Sequence, residues 1–215
     1  MSIKSSLLAA ALALAAQAGA TELISNGSFE AGSIVVNHGD PDAQQLFSGD
    51  SSTLAGWTVI GGLDIAWIGP GNAYGLSASQ GGKFLDLTGW HSSGAGAGVR
   101  QSVATTVGAH YNLSFDIGNS TTFNGGANDS VLVTAGDVLG MPVWTTTSNQ
   151  SNSWDHVTLS FTALAAHTDV SIAGDQAGNY IGLDNVSVTA AVPEPSSGLM
   201  LMAGLLSIAA WMRRR

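Results

Sequence analysis

The chain has 215 residues, no cysteine, 28 glycines and a formal charge of −9. The lack of thiols excludes thiol catalysis, iron–sulfur clusters and cysteine-ligated zinc, and it leaves the fold to its core rather than to disulfides. The acidic balance repels phosphate backbones and anionic lipid, which argues against nucleic acid as a partner and against peripheral membrane binding.

In chain order, residues 1–20 read as a signal peptide. Lys4 supplies the positive start, Leu7 to Ala16 the apolar stretch, and Ala18-Gly19-Ala20 the small-x-small site that signal peptidase requires. The apolar run is too short to span a bilayer. At the other end, residues 192–215 begin with Val192-Pro193-Glu194-Pro195, continue through an apolar run from Gly198 to Met212, and close on Arg213-Arg214-Arg215. The run 198–212 reads as a transmembrane helix at the lower length limit. Its arginines stay cytoplasmic, so the preceding domain faces outward. Residues 21–191 remain as one domain with room for a substantial core. It holds 14 acids against two bases, Lys83 and Arg100, for a formal charge of −12.

Within that domain strand signals dominate. Glu22 to Ser25 is short and apolar and breaks at Asn26-Gly27. Trp57 to Ile60 and Leu63 to Ile68 flank Gly61-Gly62, a hairpin signal. Gly32 to Ala55 is polar and weakly patterned, and reads as a long loop. Lys83 to Leu87 and Gly98 to Val103 follow. Tyr111, Leu113, Phe115 and Ile117 alternate with Asn112, Ser114 and Asp116, the pattern of a strand with one buried face. Val131 with Val133, Val157 to Phe161, Val170 with Ile172, and Leu183 to Val188 repeat it. About ten short strands and no helical period in the domain predict an all-β fold, an antiparallel β-sandwich or jelly roll, between a signal helix and a transmembrane helix.

Two resemblances add to this reading. Pro193-Glu194-Pro195, a short apolar helix and the cluster Arg213, Arg214, Arg215 resemble the PEP-CTERM sorting signal. That implies processing by an exosortase in a Gram-negative bacterium: an inner-membrane-anchored precursor that ends at the cell surface or outside the cell. The segments 22–30 (ELISNGSFE), 54–59 (LAGWTV) and 180–188 (YIGLDNVSV) resemble the choice-of-anchor C family, related to domain of unknown function 642. Both are similar to galactose-binding-like jelly rolls, the architecture of many carbohydrate-binding modules. The resemblance implies a structural Ca²⁺ shared by Glu30 and Asp184, because calcium takes six to eight oxygens. The alternative is that Asn26 and Asp184 only cap turns.

A sugar presents a CH face that packs on aromatic rings, so candidate carbohydrate contacts are aromatic residues in or beside loops: Trp90 with His91 in the loop 88–98, and Trp67 and Tyr74 flanking the loop 69–75. Trp57 and Trp154 read as core. No catalytic residue is assigned. The five histidines lack metal-ligand spacing, and Gly94 to Gly98 precedes no helix, which removes a nucleotide reading. The expected function is a non-catalytic carbohydrate-binding module for a neutral polysaccharide, exported and sorted by an exosortase, touching the membrane only through its C-terminal helix. The alternatives are a structural biofilm-matrix protein without a defined ligand and a glycan-active enzyme.

Overall fold

The computed structural model describes residues 21–90, 97–120, 130–145, 153–174 and 180–191, together with Arg213. The expected signal peptide 1–20, the apolar run 198–212, His91, Pro193, Glu194, Pro195, Arg214 and Arg215 lie outside the described residues. Among the described residues there are eleven strands: β1 (Ala43–Leu46), β2 (Thr58–Ile60), β3 (Ile65–Ile68), β4 (Phe84–Asp86), β5 (Gly98–Ala104), β6 (His110–Asn119), β7 (Ser130–Ala135), β8 (Val138–Thr145), β9 (Ser153–Thr162), β10 (His167–Gly174) and β11 (Gly182–Ala190). They form a six-stranded sheet, β1-β3-β4-β11-β6-β9, and a five-stranded sheet, β2-β5-β10-β7-β8. Neighbouring strands pair antiparallel throughout. The result is the expected all-β jelly-roll sandwich.

The inner faces of the two sheets enclose the main core. Alternation does what period-two patterning demands: Tyr111, Leu113, Phe115 and Ile117 on β6, Val131 and Val133 on β7, and Val170 and Ile172 on β10 all point inward. Trp57 is buried as expected; its ring lies 5.5 Å from that of Phe29, and its Nε1–H donates to the Asn26 carbonyl at 2.9 Å. Tyr111 stacks on Phe161 at 5.4 Å. Each such side chain, fully buried, contributes about 1.5–3 kcal/mol by removal from water.

The outer face of the six-stranded sheet carries a second, smaller core of Ala43, Ala66, Ile68, Leu76, Phe84 and Tyr180, edged by Tyr74, Ala78, Trp90 and Trp154. The segment 69–83 between β3 and β4 folds back across this face. Trp154 packs edge-on against Phe84 at 5.5 Å and donates Nε1–H to the Ser77 carbonyl at 2.8 Å. Glycines make the room: a Cβ at Gly118 or Gly182 would stand 2.9 Å from Trp154 ring atoms. A sheet covered on both faces explains why all four residues of β3 are buried, with Ile65 and Trp67 in the main core and Ala66 and Ile68 in the outer one.

Three expectations are corrected. Gly61-Gly62 does not close a hairpin, because β2 pairs with β5 in one sheet and β3 with β1 and β4 in the other; the connection crosses the sandwich. The stretch 32–55 is not all loop but contains β1, whose Ala43 and Leu46 are buried while Gln44 and Gln45 are only half-buried. Trp67 does not flank a ligand loop. It is wholly buried, and its Nε1–H donates to the Phe29 carbonyl at 3.0 Å.

Topology sorts the connections between two ends. Register places Ile60, Gly98, Gly174, Asn119 and Ser153 at one end, where β2, β4, β6, β8 and β10 finish and β3, β5, β7, β9 and β11 begin. The turns β5–β6, β7–β8 and β9–β10 lie at the other, joined by Thr105 N–H to Ala166 O, Gly108 N–H to Ala163 O and Asp137 N–H to Thr162 O. Both chain ends of the domain are here too. Glu22 bridges to Thr189, and Ala191 N–H donates to the His110 carbonyl.

Candidate functional site

Trp90 leaves the end of β4 and lies half-buried at the rim of the outer core. Its indole N–H donates to Asp40 Oδ2, and the His38 ring covers it at 4.4 Å between centroids. His38 Nδ1 stands 3.3 Å from the same carboxylate oxygen, and the Tyr74 hydroxyl is also bonded to Asp40. The Trp90 indole first, with smaller help from His38 and Tyr74, holds the Asp40 carboxyl below its ordinary range against the opposing effect of burial. Burial first, and then the Asp40 charge, push the Tyr74 hydroxyl up. The side chains of His38 and Asp40 remain about 40% exposed, at 41% and 38%. The patch therefore presents a fixed anionic acceptor among three aromatic rings, open to solvent.

The structure brings Trp90 and Tyr74 together and leaves out Trp67. It adds residues that the sequence did not single out. His38 and Asp40 come from the stretch read as loop, and nothing in their neighbourhood signals that they reach a tryptophan 50 positions later. On the other side of Trp90, Asp64 Oδ2 accepts from Gln45 Nε2 at 3.0 Å and from the Trp90 backbone N–H at 3.4 Å. Asp64 also lines a depression of about 300 Å³ with Phe47, Ser48, Gly62 and Leu63. Phe47 is 60% exposed there, an aromatic face offered to solvent.

Beneath the patch lie Asp86 and Tyr180. Asp86 is buried, accepts the Thr88 N–H at 3.0 Å and the Thr88 hydroxyl at 2.6 Å, and is pushed up to about 7 by burial, with the Asp64 charge adding to the rise. The Tyr180 hydroxyl is buried without a hydrogen-bond partner among the described residues, and its ring lies 5.8 Å from that of Tyr74. Burial raises its pKa well above the ordinary value.

A second polar row crosses the same sheet. Asp184, Asp116 and His156 are register neighbours on β11, β6 and β9. Asp116 takes His156 Nδ1 at 2.6 Å on one oxygen, and the Ser79 hydroxyl at 2.7 Å and Asn185 Nδ2 at 3.1 Å on the other. The serine bonds to the carboxylate rather than to the histidine, so the trio lacks the base-to-hydroxyl contact that activates a nucleophile. Asp184, wholly buried and raised to about 6 chiefly by burial, accepts the Gln80 and Asn185 N–H groups at 2.9 and 2.7 Å. It fastens segment 69–83 to the sheet at the bulge, where Asn185 adopts φ 54°.

Glu30 fastens the same segment further on. Its Oε1 accepts the N–H groups of Gly82 and Lys83, both at 2.7 Å. The Lys83 ammonium donates to the carbonyls of Glu30 and Gly32 at 2.9 and 2.8 Å and lies 5.1 Å over the Trp67 ring. Glu30 and Asp184 thus grip different residues of one segment. A positive charge already stands at the Glu30 carbonyl, and among the described residues no three His, Asp or Glu side chains are grouped to hold a metal. A Ca²⁺ shared by Glu30 and Asp184 would show as a fall in melting temperature on chelation that calcium reverses, whereas identical curves with calcium and with a chelator would remove the ion from the account.

Fold and site together define a jelly-roll sandwich that presents an aromatic and carboxylate patch near its loop-bearing end. The chain belongs to the family described as protein of unknown function DUF642, whose model matches residues 22–187, and residues 191–215 match the PEP-CTERM protein-sorting motif. That motif marks a protein for export and membrane-associated sorting. No curated protein matches the sequence. Among solved structures the chain is similar to a cyclase from Fischerella sp. TAU in complex with 4-(1H-indol-3-yl)butan-2-one, with 21% identity over 81% of this chain and 100% of the other, at a TM-score of 0.52. It is also similar to TmCBM61 in complex with β-1,4-galactotriose (14% identity, 80% and 99% covered, TM-score 0.47) and to a family 35 carbohydrate-binding module from Clostridium thermocellum (13% identity, 69% and 99% covered, TM-score 0.44). These likenesses concern the fold.

Proposed function

We propose that the domain is a non-catalytic module that binds neutral glycan at the Trp90 patch. The observation that carries this reading is the Asp40 carboxylate held by Trp90, His38 and Tyr74 at a solvent-open rim. A sugar needs both parts of that arrangement. Its hydroxyls donate to a fixed carboxylate, and its CH face packs on a ring, worth on the order of 1–2 kcal/mol per ring by area. Phe47, beyond Asp64, offers a further ring to a ligand longer than one sugar. The domain charge of −12 disfavours anionic glycans. Affinity of one module is then weak, about 10⁻³ to 10⁻⁵ M, or −4 to −7 kcal/mol, and many copies on one surface would raise it by avidity.

Titration calorimetry of residues 21–191 against neutral oligosaccharides tests the site. Trp90→Ala should weaken binding about tenfold, close to 1.4 kcal/mol. Because Trp90 also packs on the outer core, Trp90→Phe is the companion: it keeps a ring and removes the N–H that orients Asp40, and it should weaken binding while leaving the melting temperature near that of the parent. Normal binding by a folded Trp90→Phe and by Asp40→Asn would place the site elsewhere. If no neutral glycan binds at millimolar concentration, the domain is a matrix protein without a defined ligand.

The sorting half of the proposal concerns the tail. The run 198–212 serves as a spanning helix and is removed by an exosortase after the Pro193-Glu194-Pro195 segment, leaving a surface or extracellular domain that begins at Thr21. Intact mass of the surface-released protein checks both cuts; a released form that still carries Arg213 to Arg215 would rule out the second.

A further inference from the structure

The end of the sandwich opposite the loop-bearing end exposes three large apolar side chains on turns that the fold brings together. Val107 in the β5–β6 turn is 64% exposed, Leu164 in the β9–β10 turn 64%, and Leu139, just after the β7–β8 turn, 71%. The turns carrying Val107 and Leu164 share three backbone hydrogen bonds, Thr105 N–H to Ala166 O, Gly108 N–H to Ala163 O and Ala163 N–H to Ala109 O, while the β7–β8 turn bonds to Thr162 through Asp137. Solvent-facing turns have no need of Val and Leu, and a cluster of them marks a surface that meets something apolar.

The chain outside the sandwich says what that is. The last described residue of the domain, Ala191, is hydrogen-bonded to His110 at this end. Only residues 192–197 separate it from the apolar run that starts at Gly198. Fully extended, that link reaches about 25 Å. β6 alone has ten residues, a rise of roughly 34 Å from one end of the sandwich to the other. A domain held by so short a link cannot turn its loop-bearing end to the bilayer without unpairing β11. Charge agrees with this orientation. Of the 14 acids of the domain, Asp137 is the one that lies in the turns 105–109, 136–140 and 163–166, with His110 and His167 beside them and Glu22 on the adjoining chain end.

We infer that, in the membrane-anchored precursor, the Val107, Leu139 and Leu164 end rests on the lipid headgroup region, so that the Trp90 patch is held away from the membrane. This goes beyond glycan binding and is independent of it; it rests on the run 198–212 spanning the bilayer. The surface is a docking face for lipid, lost when the tail is cut.

The chain has no cysteine, so single labels can be placed cleanly. Residues 21–215 are inserted in nanodiscs of phosphatidylethanolamine with a minority of phosphatidylglycerol, and a fluorophore is attached at Val107→Cys, Leu164→Cys or, at the far end, Gly62→Cys, where added atoms meet open space. Headgroup-nitroxide lipid should quench the labels at 107 and 164 several-fold more than the label at 62, and Val107→Ser with Leu164→Ser should reduce quenching of a label at Leu139→Cys. Equal quenching at both ends, unchanged quenching in the serine variant, or failure of the chain to enter the nanodisc would each overturn the inference. Concentration-dependent shielding of the same positions in residues 21–191 without lipid would assign the face to a second copy instead.

Discussion

Trp67→Ala should destabilise the domain by about 3–5 kcal/mol, the range for truncating a fully buried aromatic. Three losses coincide at this position. The ring is enclosed in the main core, its N–H satisfies the buried Phe29 carbonyl, and its face receives the Lys83 ammonium. The first leaves a cavity that the flanking strands β1 and β4, each only three or four residues long, can fill only by moving. The second strands an acceptor away from water. Urea denaturation monitored by circular dichroism reads the loss as a lower midpoint at unchanged slope. A midpoint within error of the parent would show that Trp67 is not the core residue described above and would reopen it as a contact for ligand.

The domain should also lose stability as pH rises from about 4 to 8, the reverse of ordinary acid denaturation. Asp86 titrates near 7 and Asp184 near 6 in the folded state, both raised mainly by burial, while in the unfolded chain each titrates near 3.9. Between those values the folded state binds more protons than the unfolded state, so stability falls with pH. For Asp86, a folded value of about 7 against about 3.9 in the unfolded chain corresponds to a loss on the order of 4 kcal/mol between pH 4 and pH 8, with Asp184 adding in the same direction. Asp40, Asp50 and Asp137, all held low, act with the opposite sign, chiefly below about pH 4 at the lower edge of this window. Asp86→Asn keeps an acceptor for Thr88 and carries no charge. It should flatten the upper part of the profile and raise the melting temperature at pH 8 more than at pH 4.5. A parent profile that is flat or rises over this interval would refute the buried, charge-averse state of Asp86.

Where one face of a strand was buried, the sequence was readable: the alternation along 111–117 predicts β6 and its inward side chains without error. The failures have separate physical causes. Strand β1 reads Ala-Gln-Gln-Leu because it is an edge strand. Its free side is covered not by another strand but by the Asn37 side chain, which pairs with both the N–H and the carbonyl of Gln45 at 2.7 and 2.9 Å. Strand β8 hides behind Gly140 and Pro142, residues that strands tolerate at an edge. Gly61-Gly62 carries the chemistry of a tight turn but serves a passage between sheets. Trp67 was misread because β3 is buried on both faces, and a continuous apolar run holds no information about which side meets a ligand. The Trp90 patch was half legible. Its aromatic members stand among turn residues, whereas His38 and Asp40 are placed by the way the 33–42 stretch lies along β1, which no local pattern records.

The Lys83 fastening gives this domain an unusual chemical weak point. A charge carried on the chain cannot be diluted away or exchanged as a free ion can. The same fact makes it sensitive to electrophiles. Acylation or carbamylation of that one amine would remove the charge, the two carbonyl contacts at Glu30 and Gly32 and the interaction with Trp67 in a single event.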